Sequence, residues 1–340
     1  MRVCVFGAGA VGGYLAARLT HAGSHEIAVI ARGENLRAIQ SNGLKLISPQ
    51  EEFIVHPHAV TDRAQDLPPQ DVVIVTLKAH SQPSAAKDIA SLLAPRGTAV
   101  FANNGIPWWW GAAPLPLLDP DAALWTNVRP ERAIGCVVYS ANEVVQPGVV
   151  RHTANNLWLL GEPTAVRSQR LLAIERLMGD AQLNAQAVTD IRDRIWAKLL
   201  RNAPLNSLCA LTRLGVDELA HDPRLQAMCN AVIDEIAAIA AAGGTDLSAA
   251  IDDAKAVLQL GGAIDGGKAG NIRPSMLQDV LNGRTLEVEA ILGQVQAFAH
   301  ASGTPCPVLD TLVPLVRGLD RSLVHLASIR LHPRPDRLSL

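Results

Sequence analysis

The chain opens Arg2-Val3-Cys4-Val5-Phe6-Gly7-Ala8-Gly9-Ala10-Val11-Gly12-Gly13. Residues 2–6 read as a short buried strand. They run straight into G-x-G-x-x-G, and a helical pattern follows to about Ala22. Placed between a strand and a helix, the motif has a mechanism. Its first glycine allows the tight turn, its second lets the backbone approach a pyrophosphate, and its third lets helix and strand pack closely. The helix N-terminus then offers N–H groups and a positive dipole end to phosphates. Gly7, Ala8, Gly9, Ala10, Val11 and Gly12 are therefore candidate cofactor contacts. The plain alternative is a glycine-rich turn without a ligand. A second strand, HEIAVIA at 25–31, follows at the distance a dinucleotide-binding unit requires.

The end of that second strand selects the cofactor. NAD sites usually carry an acid there for the ribose 2′-hydroxyl. Here Ile30-Ala31-Arg32-Gly33 holds no acid before Glu34. An acid would repel a 2′-phosphate, whereas a guanidinium binds it in a fork. NADP(H) is the expected cofactor and Arg32 its reader; a solvated loop arginine is the alternative. Residues 71–77, DVVIVTL, form an unbroken apolar run, as in a central parallel strand covered on both faces. Lys78 follows it, either a cofactor contact or a solvated strand-end lysine. The strand 97–102 runs into Asn103-Asn104-Gly105, a turn signal in its own right; its position at a strand end makes Asn104 a candidate cofactor or substrate contact, with a plain turn as the alternative. Trp108-Trp109-Trp110 then line an apolar pocket or form a subunit contact, and with the latter a homodimer. Further strands are expected over 133–160, with turns at Pro147-Gly148 and Asn155-Asn156.

From about Asp190 the texture becomes helical, over 191–213, 223–242, 246–261, 274–282 and 284–302. The expected architecture is α/β: a Rossmann-type dinucleotide-binding domain over residues 1–189, then an all-helical domain over residues 190–340. Within the first long helix Lys198, Asn202 and Asn206 recur at i, i+4 and i+8, one stripe of a cation and two amides. A lysine among Ile195, Trp196, Leu199 and Leu200 is costly unless it pairs with an anion or handles a proton. A solvated lysine with two incidental asparagines is the bland alternative. Pro204 is expected to kink or break the helix near Leu200. The tail from His332, rich in Pro and Arg, reads as loosely packed.

Composition narrows the class. The 340 residues are 49% hydrophobic and 18% charged, enough for two packed domains. A net charge of -2 predicts no broad attraction to nucleic acid or an anionic membrane. No apolar run reads as long enough to span a bilayer, and the N-terminal apolar run breaks on its glycines too soon for a signal peptide. Cys4, Cys136, Cys209, Cys229 and Cys306 are odd in number and widely spaced, with no C-x-x-C. They read as free thiols in a reducing cytoplasm, with no disulfide framework and no metal site.

Together these residues resemble the ketopantoate reductases (2-dehydropantoate 2-reductases) over roughly residues 1–315. The matches are GAGAVGG at 7–13, VTLKAH at 75–80, NNG at 103–105, K-x-x-x-N-x-x-x-N at 198–206, SMLQD at 275–279, and Glu287 in a segment before Ile291 and Gly293. The resemblance implies NADPH-dependent reduction of ketopantoate to pantoate in pantothenate biosynthesis. It implies Lys198 as proton donor, Asn104, Asn202, Asn206 and Ser275 holding substrate, and Glu287 assisting near both ligands. The chain departs from the pattern at Pro204, at Arg273-Pro274 and at the three tryptophans. Another 2-oxo acid therefore stays open as substrate. A different oxidoreductase of similar build and a nucleotide-sensing protein without turnover are the remaining classes.

Overall fold

The computed structural model of the protein describes residues 1–259 and 272–331. The expected helix end at Gly261-Gly262 and the tail from His332 lie outside the described residues. The chain divides into two compact units, Met1–Arg194 and Ile195–Leu340.

The first unit is a mixed sheet with helices. In chain order its elements are β1 (Arg2–Phe6), α1 (Ala10–Ala22), β2 (Glu26–Ile30), α2 (Gly33–Asn42), β3 (Leu44–Ile47), β4 (Glu52–Val55), β5 (Ala59–Thr61) and β6 (Gln70–Val75). Then come α3 (Ala86–Leu92), β7 (Leu93–Ala102), α4 (Ala123–Asn127), β8 (Ala133–Gln146), β9 (Val149–Gly161), α5 (Gln169–Asp180) and β10 (Asn184–Val188). The strand order is β4-β3-β9-β8-β7-β6-β1-β2-β5, with β10 beside β9. The strands from β8 through β7, β6, β1 and β2 to β5 are mutually parallel. The apolar run of β6 sits between β1 and β7 with Val72–Val75 buried, as a central parallel strand requires. Tyr14, Leu15 and Leu19 of α1 and Leu171, Ile174 and Leu177 of α5 pack over one face of the sheet.

The β8–β9 hairpin turns at Pro147-Gly148, where Gly148 takes φ 75°. The expected turn at Asn155-Asn156 does not form. Between the pairs Tyr139↔Leu157 and Ala141↔Ala154 the β9 side carries one extra residue, and Asn155 takes φ 59° there. This is a β-bulge, which one left-handed asparagine accommodates without ending the strand.

Burial separates the two readings of the tryptophan run. Trp108 and Trp109 are buried in the first unit and Trp110 is half-buried. Gly135 and Gly161 pair directly across β8 and β9. A Cβ on Gly135 would fall 2.5 Å from the Trp109 ring, and one on Gly161 would fall 2.4 Å from Ile191. The two glycines thus leave a flat seat filled by an indole and a branched side chain. Trp108 meets Phe101 edge-on at 5.3 Å, and the Arg192 guanidinium lies 5.9 and 5.6 Å from the ring centroids of Trp109 and Trp110. Trp108 and Trp109 are core, so a subunit contact through them is excluded.

Strand-free among the described residues, the second unit consists of α6 (Ile191–Thr212, entering from the first unit), α7 (Val216–Ala220), α8 (Pro223–Ala242), α9 (Ser248–Gln259), α10 (Ser275–Leu281), α11 (Gln294–Ser302) and α12 (Pro307–Leu331). A π-helical turn, Glu289–Gly293, leads into α11. Of the kink or break expected near Leu200, no break occurs: α6 is continuous for 22 residues with Pro204 inside. Pro204 removes one N–H, and the buried neighbours Ala203, Ser207 and Leu208 hold the helix on either side of the gap. By length and composition α8 is long and apolar enough to cross a membrane, contrary to the expectation from sequence. Its Cys229, Val232, Ile233, Ile236 and Ile239 are buried within the unit. Its Asp234 pairs with Lys255 at 2.6 Å, and its Glu235 accepts from the Val308 and Leu309 amides at the start of α12. The helix buries one face in the unit and leaves polar residues such as Asp234 on the other.

Candidate active site

The three motif glycines do three different things. Gly7 sits at φ 109°, a left-handed backbone that favours glycine. Its carbonyl accepts from Thr76 Oγ1 at 2.6 Å, tying the loop to the end of β6. A Cβ on Gly12 would fall 1.8 Å from the Gly7 carbonyl oxygen and 2.4 Å from Thr76 Oγ1. Gly12 is therefore a packing requirement of the chain itself. Gly9 differs: its φ of -73° suits any residue, and a Cβ there would meet nothing within 4 Å. The chain gives no internal reason for glycine at position 9, and the space beside it is open. Gly9 also caps α1, where no side chain satisfies the terminal amides and no acid occupies the first turn. Ala10, Val11 and Gly12 thus begin a helix whose N-terminal donors remain for an anion, as a pyrophosphate requires.

Adjacent parallel strands bring three further segments to this same end of the sheet. Arg32, exposed, follows β2 and caps α2 in extended geometry. Lys78, half-buried, follows β6. Asn104, half-buried, follows β7, and its carbonyl accepts from Asn103 Nδ2 at 3.1 Å. The carboxyl ends of parallel strands are where such sheets bind ligands. Sequence reasoning passed over Asn35. Its Nδ2 donates to the Ala8 carbonyl at 2.5 Å, and its Oδ1 accepts from the Gly148 amide at 2.7 Å. One asparagine thereby fixes the glycine loop against the β8–β9 turn.

In the second unit α6 carries Lys198 and Asn202 half-buried and Asn206 buried. Asn206 Oδ1 accepts from the Met276 amide at 3.0 Å and from Ser275 Oγ at 3.3 Å, while its Nδ2 donates to the Asn202 carbonyl at 2.8 Å. Asn206 therefore holds the first turn of α10, and with it Ser275, against α6. Asn206→Ala should strip a buried amide of its acceptor, at about 1–3 kcal/mol. Better helix propensity returns at most about 0.7 kcal/mol, so net destabilisation is expected. Denaturant unfolding measures it, and unchanged stability would mean that α10 is held by other contacts.

Glu287 is buried and lies just before the turn Glu289–Gly293. Beside it Glu289 receives Arg317 through two hydrogen bonds, at 2.7 and 2.6 Å, which raise the arginine's pKa. A Cβ on Gly293 would fall 2.0 Å from Glu289 Oε2, so this glycine makes room for the pair. The turn is locally π-helical, an irregularity frequent at functional sites.

Comparison with known proteins decides the family. The family described as "Ketopantoate reductase PanE/ApbA" matches residues 3–164, and its C-terminal counterpart matches residues 190–320. The chain belongs to the ketopantoate reductase family. It is 37% identical to the 2-dehydropantoate 2-reductase of Mesorhizobium japonicum over 94% of this chain and 98% of that protein. It is 29% identical to the 2-dehydropantoate 2-reductase of Archaeoglobus fulgidus over 95% and 99% of the two chains. The crystal structure of 2-dehydropantoate 2-reductase from Geobacter metallireducens superposes with a TM-score of 0.81 at 26% identity, over 94% and 99% of the two chains.

Two features of this family member escaped the motif reading. Thr76 falls within VTLKAH, but its hydroxyl works through a carbonyl 69 positions away. The Glu289–Arg317 pair joins residues 28 positions apart, and only the i, i+4 relation of Glu289 to Gly293 gave a local hint. All five cysteines are buried, and none forms a disulfide.

Proposed function

We propose that this chain is an NADPH-dependent 2-dehydropantoate 2-reductase that converts ketopantoate to pantoate in the cytoplasm. The observation that carries this is the similarity to the Mesorhizobium japonicum enzyme along nearly the whole of both chains. A reduced nicotinamide dinucleotide, when bound, supplies a hydride to the 2-oxo carbon. Gly7, Ala8, Gly9, Ala10, Val11 and Gly12 would hold its pyrophosphate, with Lys78 and Asn104 as further contacts at the strand ends. Lys198 would offset the charge developing on the substrate oxygen and donate the proton to it. Asn104, Asn202, Asn206 and Ser275 would hold the oxygens of the 2-oxo acid without adding charge. Glu287 would orient the lysine or accept a substrate hydroxyl. We carry a homodimer as part of the proposal, and neither nucleic acid nor membrane as a partner; sedimentation measures the first.

Exposed Arg273, two residues before Ser275, favours a second reading, in which the substrate is a 2-oxo acid with a further carboxylate. NADPH oxidation across a panel of 2-oxo acids separates the readings. Ketopantoate should give the highest kcat/KM, and a dicarboxylic 2-oxo acid ahead of it would establish the second.

Arg32 gives the cofactor test. Arg32→Ala should raise KM for NADPH far more than for NADH, by a loss of about 1.5–3 kcal/mol for hydrogen bonds to a charged group. Equal use of NADH and NADPH by the unaltered enzyme would remove Arg32 from that role.

A further inference from the structure

We propose that His300, Cys306 and Asp310 form a binding site for a divalent transition-metal ion of the zinc class, with water as the fourth ligand. The three residues lie at the corner between α11 and α12. His300 is in the last turn of α11, Cys306 immediately precedes α12, and Asp310 lies in its first turn. Gly303, at φ 69°, ends α11, and its amide and that of Thr304 return to the His300 and Ala299 carbonyls. The corner is thus fixed by backbone bonds before any ion arrives.

One ligand atom from each residue lies within 4.8 Å of the other two. Cys306 Sγ is 3.6 Å from Asp310 Oδ1, and His300 Nε2 is 2.8 Å from the same oxygen. Tetrahedral zinc with bonds of about 2.0–2.3 Å sets its ligand atoms about 3.3–3.7 Å apart. The sulfur–oxygen distance already has that value. The nitrogen–oxygen distance must open by about half an ångström, which two exposed side chains supply by small rotations. Gln296 Nε2 donates to Asp310 Oδ1 at 2.7 Å and orients the carboxylate from outside the ligand set.

The donor chemistry selects the metal. Sulfur, imidazole nitrogen and carboxylate oxygen together suit zinc and its neighbours, while magnesium and calcium take oxygen alone. On binding, the Cys306 S–H bond breaks and its proton leaves to solvent, the His300 Nε2–H proton is exchanged through solvent for one at Nδ1, and metal–sulfur and metal–nitrogen bonds form, with no change of oxidation state. One thiolate and one carboxylate then balance the two positive charges. His300 and Asp310 are exposed and give the ion access, while Cys306 is buried on the inner side. The other four cysteines belong to no such group among the described residues.

Cobalt(II) titrated into the full-length, tag-free chain is the test. One equivalent should give visible d–d bands of a tetrahedral centre and a thiolate-to-cobalt charge-transfer band, both bleached by zinc. Cys306→Ser should abolish the charge-transfer band. Gln296→Ala should weaken binding by about 10–100-fold, as loss of an outer partner does, and His300→Ala, a ligand, by more. His300 is exposed, so its variant reports on binding without a change in the core. Absence of the charge-transfer band overturns the proposal and leaves a hydrogen-bonded corner only. So does a band that survives Cys306→Ser, or zinc affinity unchanged in His300→Ala.

Discussion

Lys198→Ala is expected to lower kcat by on the order of 10²–10⁴ while leaving NADPH affinity nearly unchanged. That range corresponds to about 2.7–5.4 kcal/mol of lost transition-state stabilisation. Lys198 is half-buried on α6, between buried Ile195 and Trp196 on one side and Leu199 and Leu200 on the other. A charge in such surroundings acts more strongly than one in water. Stopped-flow and steady-state assays measure the turnover, and calorimetry measures NADPH binding. Lys198→Arg divides the two roles assigned to the lysine. The guanidinium keeps the charge but does not give up its proton in a protein, so kcat should remain low if proton donation is the larger part. Asn202→Ala should act mainly on KM for the 2-oxo acid, since an amide holds an oxygen but supplies no proton to the product. Full turnover in Lys198→Ala at every pH tested would sink the mechanism and leave Lys198 a half-buried charge of α6 without a chemical role.

Substitutions at Gly9 and Gly12 should fail for opposite reasons. Gly12→Ala drives a Cβ to 1.8 Å from a backbone oxygen, so strand end and helix must move apart. Overpacking of this kind costs about 1–3 kcal/mol, occasionally more, and thermal unfolding should register it with or without cofactor. Gly9→Val adds its side chain where the chain has nothing within 4 Å and φ is -73°. The apo protein should keep its Tm, while NADPH affinity falls. Each phosphate hydrogen bond lost costs about 1.5–3 kcal/mol, or roughly ten- to a hundredfold in Kd. Unchanged NADPH affinity in Gly9→Val, measured by calorimetry, would take the loop out of the site. A Tm lowered as far as in Gly12→Ala would show instead that Gly9 serves packing.

By itself the sequence determined what depends on near neighbours. The apolar run of residues 2–6, the glycine spacing and the helical pattern behind it specify β1, the loop and α1, because turn, strand and helix signals all lie within about 20 residues of one another. The helix read over 223–242 is α8 to the residue, since Asp222 and Gly243 mark its ends and an apolar stripe fills it. The positions of the glycine motif, Lys198 and Asn104 in the fold were legible for the same reason: a strand end or a helix stripe places them.

Tertiary structure decided whatever required a partner far along the chain. Pro204 should break a helix by local rules, yet the burial of its neighbours keeps α6 whole. Asn155 signals a turn, but ladder pairing on either side of it makes a bulge. The tryptophans allow a pocket lining or a subunit contact until Gly135 and Gly161 meet across two strands and open a seat for one of them. Asn206 reads as one more polar residue on a stripe, and its partner at the start of α10 lies 70 positions away. His300, Cys306 and Asp310 have no recognisable metal spacing in sequence, because one is at a helix end and two are at a helix start. Local propensities are small beside the cost of leaving a buried polar group or a cavity unfilled. Where the two conflict, the packed environment sets the outcome, and no window of neighbouring residues contains it.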